Sequence, residues 1–546
     1  MRDTIVTAPP SLAQQRLWFL DRLLPGTSAY NVPVALRLEG PLEADALAWA
    51  LNRVVARHDA LRAGFHVEGG RPALRVEPEV PVEVSLDDLS GLPADERRRR
   101  ARALVEEAAW TPFALDRPPL LRARLLRLAA EDHVLALALH HAVFDGASED
   151  VLFGELSALY TAEVLGAPAR LPALPMRYGD FARGQHEGPA AARAERDLEF
   201  WERRLAGAPS VVDLPTDRPR PAVPSYRGGL HRFALPTAVW GAVREGARTW
   251  RTSPFVVLLS AFAGLLARYS GAGDLVIGTP VAARTAPELE PLIGLFANML
   301  ALRLDVSGDP TLAELVGGVR AAVAEAHEHQ EAPLERVVDA LRPDRSLGHN
   351  PLFQVEFTSA AEPSALPRLP GLRVTPLDLG SRTAKFDLSL ALEPAAAGGA
   401  VGRLEYARDL FDGATAARVC GHYRRLLAGA LARPDARLSA LPLLGADERN
   451  RVVGAWGPGV EAAGWASLPE RFRAQAARTP AAVAVACGDE RVTYRELAER
   501  VSALAARLAS LGVGPDARVG VLLERTPDLL VAVLAVMEAG GAYVPV

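Results

Sequence analysis

Cysteine is almost missing from this 546-residue chain. Cys420 and Cys487 stand 67 positions apart with no pattern around them. That excludes a disulfide framework, a thiolate zinc site and a thiol-template active site, and it fits a reducing, cytoplasmic compartment. A basic surplus is missing too. The 61 Lys and Arg residues face 66 Asp and Glu, a net charge of −5, so no polyanion such as nucleic acid is expected as a partner. The one dense basic run, "ERRRRAR" at 96–102, reads as a solvated helix face, with a docking patch for an acidic partner as the alternative. The opening "MRDTIVTAPPSLAQQ" lacks the basic and apolar regions of a signal peptide. The longest apolar stretch, "PFVVLLSAFAGLLARYS", is too short to span a bilayer and follows Ser253, a helix-cap signature. It reads as a core helix, and no membrane segment is expected.

What is present is enough for several cores. At 49% hydrophobic and 23% charged, the composition is that of a globular protein, and the length allows three or four domains. Residues 1 to about 440 read as mixed α/β. A helix is predicted over 42–57 with Leu47, Leu51 and Val54 on one face. "HVLALALH" (133–140) suits a buried strand. A helix should follow Gly146, capped at Ser148 and showing Leu152, Leu156 and Leu159 at helical spacing. A second part begins after the proline-rich stretch 214–229, with a helix over 254–269 and strands at "DLVIGTPVAAR" and "PLFQVEFTS". Near 440 the pattern lapses into a linker with no lasting period.

The chemistry concentrates at "LALHHAVFDGAS", residues 137–148. Side chains alternate across a strand, so His140 and His141 should face opposite ways, one toward a cavity and one into packing. An imidazole titrating near neutrality can accept or return a proton in acyl transfer. Asp145, across the turn, can hold the backbone or pair with a cation. Gly146 allows a sharp turn and leaves room for a substrate.

"HHAVFDG" resembles the His-His-x-x-x-Asp-Gly signature of the chloramphenicol acetyltransferase-like acyltransferases, which include the condensation domains of nonribosomal peptide synthetases. "SLAQQRLWFL" (11–20), "RHDALRAGF" (57–65), "YGDFA" (178–182), "IGLFANMLALR" (293–303), "HQEAPLERVV" (329–338) and "RSLGHNPLFQVEF" (345–357) are similar to the other motifs of the condensation domains, in family order. The resemblance implies two acetyltransferase-like α/β sandwich lobes in a V-shaped pseudo-dimer, 1–177 and 178–440. A linker over 441–467 and a partial adenylation-domain N-terminus over 468–546 would follow. It implies that His141 is catalytic and that His140, Asp145, Gly146, Arg284 and Asn298 shape the site. Asp145 would pair with Arg284, and Asn298 would lie near the tunnel or serve structure. No metal is implied. Phosphopantetheine arms would arrive on donor and acceptor peptidyl carrier proteins.

The reaction so implied is amide formation between a carrier-bound acyl or aminoacyl thioester and the α-amine of a carrier-bound acceptor, as in secondary-metabolite and antibiotic synthesis. A thioester is already activated, so no nucleophilic Ser or Cys is required, and His141 either takes the amine proton or positions the amine. "SLAQQRLWFL", "PGTSAYNVP" and "DGAS" are most like domains joining two L-configured residues, although Ala147 stands where an aromatic residue often follows. No Asp-x-x-x-x-Asp replaces the histidine motif, which speaks against heterocyclisation. Met1 precedes the first motif by only ten residues, so the donor is expected from another polypeptide. A chain-initiating domain that N-acylates with a fatty acyl group is the alternative. Another is a non-catalytic module that recruits a tailoring enzyme; such modules often lose the second histidine. An epimerisation domain or a free coenzyme A acetyltransferase fits the domain order less well. "VTYREL" and "EAGGAYVPV" resemble the first adenylation motifs. Gly540-Gly541 reads as a turn with no Lys or hydroxyl residue after it, so no ATP chemistry is expected from residues 1–546.

Overall fold

The computed structural model describes residues 6–342, 346, 348–360, 365–396, 398–457 and 466–546. Arg345 and Leu347 of the last motif, and residues 458–465 of the expected linker, lie outside the described residues.

The helix predicted over 42–57 forms as Ala44–Arg57 and buries Leu47, Leu51 and Val54. Each such burial contributes roughly 1.5–3 kcal/mol. The apolar run before the histidines forms the strand Asp132–His140, buried at every position but the first. A strand apolar on both faces belongs at the centre of a sheet, and this one does. It pairs antiparallel with Asn31–Glu39 on one side and Leu121–Ala129 on the other. Val84–Asp88 extends one edge in parallel, and Arg373–Pro376 closes the other antiparallel. That last strand comes from the second half of the sequence. A small sheet of Val6–Ala8, Arg71–Val76 and Ala63–Glu68 completes the first part.

The second part is a six-stranded sheet ordered Asn298–Asp305, Asp274–Val281, Val355–Ser359, Leu388–Pro394, Ala400–Ala407 and Gly228–Leu235. The expected apolar helix forms as Pro254–Ser270, with the Ser253 side chain accepting from the Val256 N–H. Eleven of its residues are buried, so it is a core helix. Among the described residues no single helix is long and apolar enough to cross a membrane.

Two large cores result, and the chain weaves between them. Tyr178 and Ala182, from the helix Tyr178–Gly184, pack into the first core, as do Leu292, Ile293 and Phe296 from the loop before Asn298–Asp305. The second core gathers residues from Trp201 onward. A division drawn at 177/178 is thus crossed by this helix, by that loop and by the strand Arg373–Pro376.

The described chain separates into two units, Met1–Gly445 and Ala446–Val546. Within the second unit, Ala446–Asn450 and Arg451–Trp456 are helical where no period was expected, and neither buries a residue. Without a buried face there is no amphipathic period to read. Farther on, the helices Leu468–Arg478, Tyr494–Ser510 and Pro527–Glu538 accompany two short strand pairs. In "VTYREL" the Thr493 and Glu496 side chains accept each other's backbone N–H, a reciprocal cap that starts the helix Tyr494–Ser510.

Candidate active site

The two histidines part company because the strand ends between them: His140 is its last residue and His141 the first of the turn, so the turn and not strand alternation separates them. His140 ends its strand at 4% exposure, with Phe113 and Tyr30 against its ring. Its Nδ1 accepts from the Ala142 N–H at 3.1 Å, which closes the turn that follows. His141 opens the one-turn helix His141–Val143 and stays partly exposed in a cavity wall. Its backbone N–H donates to Tyr30 O at 2.8 Å. Its Nδ1 lies 2.7 Å from Phe144 O. A carbonyl oxygen only accepts, so the ring proton sits on Nδ1 and the Nε2 lone pair is left for a ligand.

Neither ring titrates near neutrality, contrary to expectation. Burial, then the charge of Lys385, pushes His141 down to about 4. Burial, then His141, pushes His140 down to about 3. Both are neutral imidazoles across the physiological range.

Asp145 is 1% exposed and accepts from five donors: Ser148 N and Oγ, Phe296 N, Ala297 N and Arg284 Nη2. It is also the cap of the helix Gly146–Leu165. The cap expected at Ser148 is therefore corrected. Ser148 lies inside the first turn, where its hydroxyl joins Asp145 to the Gly294 backbone and accepts from Arg284. The acidic side chain at the strand end outcompetes the serine because it reaches an unpaired N–H of the first turn directly. Gly146 also departs from expectation. Its φ is not left-handed and a Cβ there would meet nothing within 4 Å, so the turn does not demand glycine. Open space beside the helix start is what remains of that reading.

Arg284 meets Asp145 at 3.2 Å, and its guanidinium also donates to the carbonyls of Leu289 and Leu292 and lies 4.2 Å over the Phe296 ring. Asn298 lines the cavity that holds His141 and works as a clamp. Its Nδ2 donates to Gln330 O and Ala332 O, and its Oδ1 accepts from Met299 and Leu334. The two readings of Asn298, tunnel wall and structural, thus describe the same side chain.

The separate motif segments meet around the histidine turn. Gln14 Nε2 donates to Ala142 O at 2.7 Å. Tyr178 Oη donates to Leu295 O and reaches Ser11 Oγ. His58 Nδ1 accepts from the Ile293 N–H, which leaves its Nε2–H to donate to Glu155 on the helix Gly146–Leu165. Asp59 accepts from the Tyr178 and Gly179 backbone. Other motif residues, among them Ala13, Arg16, Leu295, Asn298, Glu335 and Glu356, line the cavity.

The cavity itself has a volume near 150 Å³. Its polar wall consists of His141, Arg16, Glu335, Glu356, Lys385 and Tyr30, besides Asn298 and Asn350. It shares Ala13, Ala297, Asn298 and Glu335 with a neighbour of about 290 Å³, and Arg16, Leu334, Asn350 and Phe386 with another of about 540 Å³. A third hollow, of about 340 Å³, shares Arg16, Asn350, Lys385 and Phe386 with it, so the cavity of His141 adjoins larger hollows. Lys385 and Glu356 are not among the residues expected from the sequence. The signal for Lys385 was compositional: of the 61 basic residues, 60 are arginine and Lys385 is the single lysine. Among the described residues no cluster of three or more His, Cys, Asp or Glu is placed to hold a metal ion.

The chain is 40% identical over 546 residues to the phosphinothricin tripeptide synthetase PhsC of Streptomyces viridochromogenes, covering 98% of this chain and 50% of that protein. It is 41% identical over 541 residues to chondramide synthase cmdD of Chondromyces crocatus, covering 98% of this chain and 14% of that one. The chain thus spans half or less of these curated relatives. Among solved structures, holo-AB3403, a four-domain nonribosomal peptide synthetase, aligns with a TM-score of 0.77 at 25% identity, over 100% of this chain and 42% of that one. The X-domain from teicoplanin biosynthesis aligns with a TM-score of 0.72 at 31% identity, over 81% and 99%. Residues 472–546 match the family described as AMP-binding enzyme. Residues 5–453 match the family described as Condensation domain, and the chain belongs to it.

Proposed function

We propose that residues 5–453 form an amide between a donor acyl thioester and the α-amine of an acceptor, each tethered to a carrier protein through phosphopantetheine. The observation that carries this reading is His141, its Nδ1 engaged by Phe144 O and its Nε2 left for a ligand, in the wall of a cavity that shares residues with larger hollows. A tethered donor and a tethered acceptor need separate approaches to one reactive point, and the adjoining hollows support that reading. The neutral amine attacks the thioester carbonyl carbon, and its surplus proton passes to His141 Nε2. As the carbonyl re-forms, the C–S bond breaks and the proton goes on to the departing thiolate. His140, Asp145 and Arg284 hold the turn, and Asn298 holds the far wall, so their part is positioning. The L-to-L subtype remains our preferred reading of the motif wording.

A second reading has its own observation. The teicoplanin X-domain has been solved in complex with OxyB, which favours a module that recruits another enzyme. Retention of both histidines, with the second facing a cavity, favours catalysis instead. The two readings separate when pairs of carriers loaded with aminoacyl groups are mixed with the chain and the products are read by intact-mass spectrometry. An amide-linked product on the acceptor carrier, absent without the chain, supports condensation. Binding of carriers without any product supports recruitment and rejects the catalytic reading.

A further inference from the structure

Every basic residue in this chain is arginine except one. The exception lines the same cavity as His141. Arginine is a planar fork of five donors that needs several acceptors, whereas lysine is a compact point charge with three. A chain that uses arginine at 60 positions and keeps an ammonium facing its central histidine has a use for that ammonium.

Local structure holds Lys385 in place. Its carbonyl accepts from Asn350 Nδ2 at 2.6 Å. On either side, the Ala384 N–H donates to Tyr226 O and the Asp387 N–H to Gln354 O, both at 2.9 Å. The Phe386 ring stacks on Phe353, and the Asp387 carboxylate is paired with Arg220. The backbone is pinned while the side chain reaches into the cavity, with Nζ 5.3 Å from the centre of the Tyr30 ring. Among the described residues no carboxylate comes within ion-pair distance of Nζ and no acceptor hydrogen-bonds it. The other cation of the wall, Arg16, is already committed to Glu335 at 3.5 Å. Glu356 and Glu405, on the neighbouring strands Val355–Ser359 and Ala400–Ala407, face Lys385 at longer range. Lys385 therefore brings spare donors beside an imidazole with a spare lone pair.

We propose that Lys385 is a catalytic residue of the condensation reaction, its ammonium holding the oxyanion formed when the acceptor amine attacks the donor thioester. The proposal rests on the amide-forming reading above. As the C–N bond forms, the carbonyl π pair moves onto oxygen and meets the Nζ–H donors. When that pair returns, the C–S bond breaks and the sulfur leaves with its electrons. The proton lost by the amine goes to His141 and then to the thiolate, so Lys385 neither gains nor loses a proton over the cycle. Charge placed in advance where a transition state develops it needs no reorganisation, and this is why such donors matter most in dry sites. Burial, together with Arg16, lowers the Lys385 pKa, while Glu356 and Glu405 oppose that. An arriving oxyanion would pull in the same direction as the two acids.

The single lysine makes the test clean. Condensation is measured at pH 8 with saturating loaded carriers, where His141 is neutral with or without a neighbouring charge. Removing one oxyanion donor lowers turnover by about 10²–10³, so Lys385→Met should lose about that much in kcat while the KM for each carrier stays nearly constant. Lys385→Cys in a Cys487→Ser background, alkylated with 2-bromoethylamine to restore an ammonium, should regain most of the loss. As a measurement without any substitution, [ε-13C]lysine labelling of the full chain gives one lysine resonance. A carrier-tethered phosphonate, an anionic mimic of the tetrahedral centre, should raise its titration midpoint by about one unit, equivalent to tenfold tighter proton binding, whereas a neutral amide mimic should not. Lys385→Met with wild-type turnover beside an inactive His141→Ala overturns the role of Lys385 alone. A fully active His141→Ala overturns the underlying reading instead. If Lys385→Met fails to fold, the resonance decides: an unmoved midpoint with the phosphonate bound contradicts the proposal.

Discussion

The Arg284 guanidinium reaches the Asp145 carboxylate at 3.2 Å across 139 positions of sequence, with side-chain exposures of 7% and 1%. This contact ties the loop after the strand Asp274–Val281 to the turn that carries the histidines. Removing one partner strands a buried charge, so Asp145→Ala and Arg284→Met should each lower unfolding free energy by about 3–5 kcal/mol. Urea titration with an unchanged slope checks this. Because Asp145 also accepts four other hydrogen bonds, its variant should be the worse of the two.

Gly294 lies in the "IGLFANMLALR" motif, and a Cβ there would sit 2.2 Å from the Tyr178 ring of the "YGDFA" motif. The glycine is required by that close approach. Gly294→Ala overpacks the site and should cost about 1–3 kcal/mol. Its melting temperature should fall by several degrees, and Tyr178→Leu should recover part of the loss in the double variant.

The sign of the pH dependence follows from the depressed histidines. In the unfolded chain both take protons near their ordinary value, about 6.5, whereas in the fold His141 waits until about 4 and His140 until about 3. Between these limits the unfolded state binds more protons, so stability is lost as pH falls from about 6.5 toward 4. Melting curves over that range should show a downward slope that His141→Asn makes shallower. Lys385 is one cause of the His141 depression. Lys385→Met should therefore raise the His141 midpoint, read from its ring proton by NMR.

The same neutrality bears on catalysis. The acid limb of turnover should follow the acceptor amine, with an ordinary value of about 8, and not His141. Exchanging the acceptor for one whose amine is less basic should shift the limb down by the difference between the two amines. A limb that stays in place assigns it to the enzyme.

Much of this is legible in the sequence. The periodicity of 42–57, the buried strand before the histidines and the apolar helix after Ser253 are local patterns, and local patterns survive in one dimension. The strand Arg373–Pro376 joining the first sheet, and the helix Tyr178–Gly184 joining the first core, are decisions made by distant partners. The cap moved from Ser148 to Asp145 because both residues bear good capping groups and only geometry ranks them. The titration of His141 depends on burial and on Lys385, which lies far along the sequence. Lys385 itself was visible in principle, as the one departure from an otherwise uniform choice of arginine.

The most direct measurement is single-turnover condensation by the wild-type chain and His141→Ala, using the same loaded carrier pair at saturating concentrations. General acid–base catalysis by one group supplies about 10²–10⁴-fold, so the variant should fall by that much while binding both carriers and melting like the wild type. A variant that forms the amide at the wild-type rate would contradict the assignment of the imidazole, and with it the proposed chemistry of the cavity.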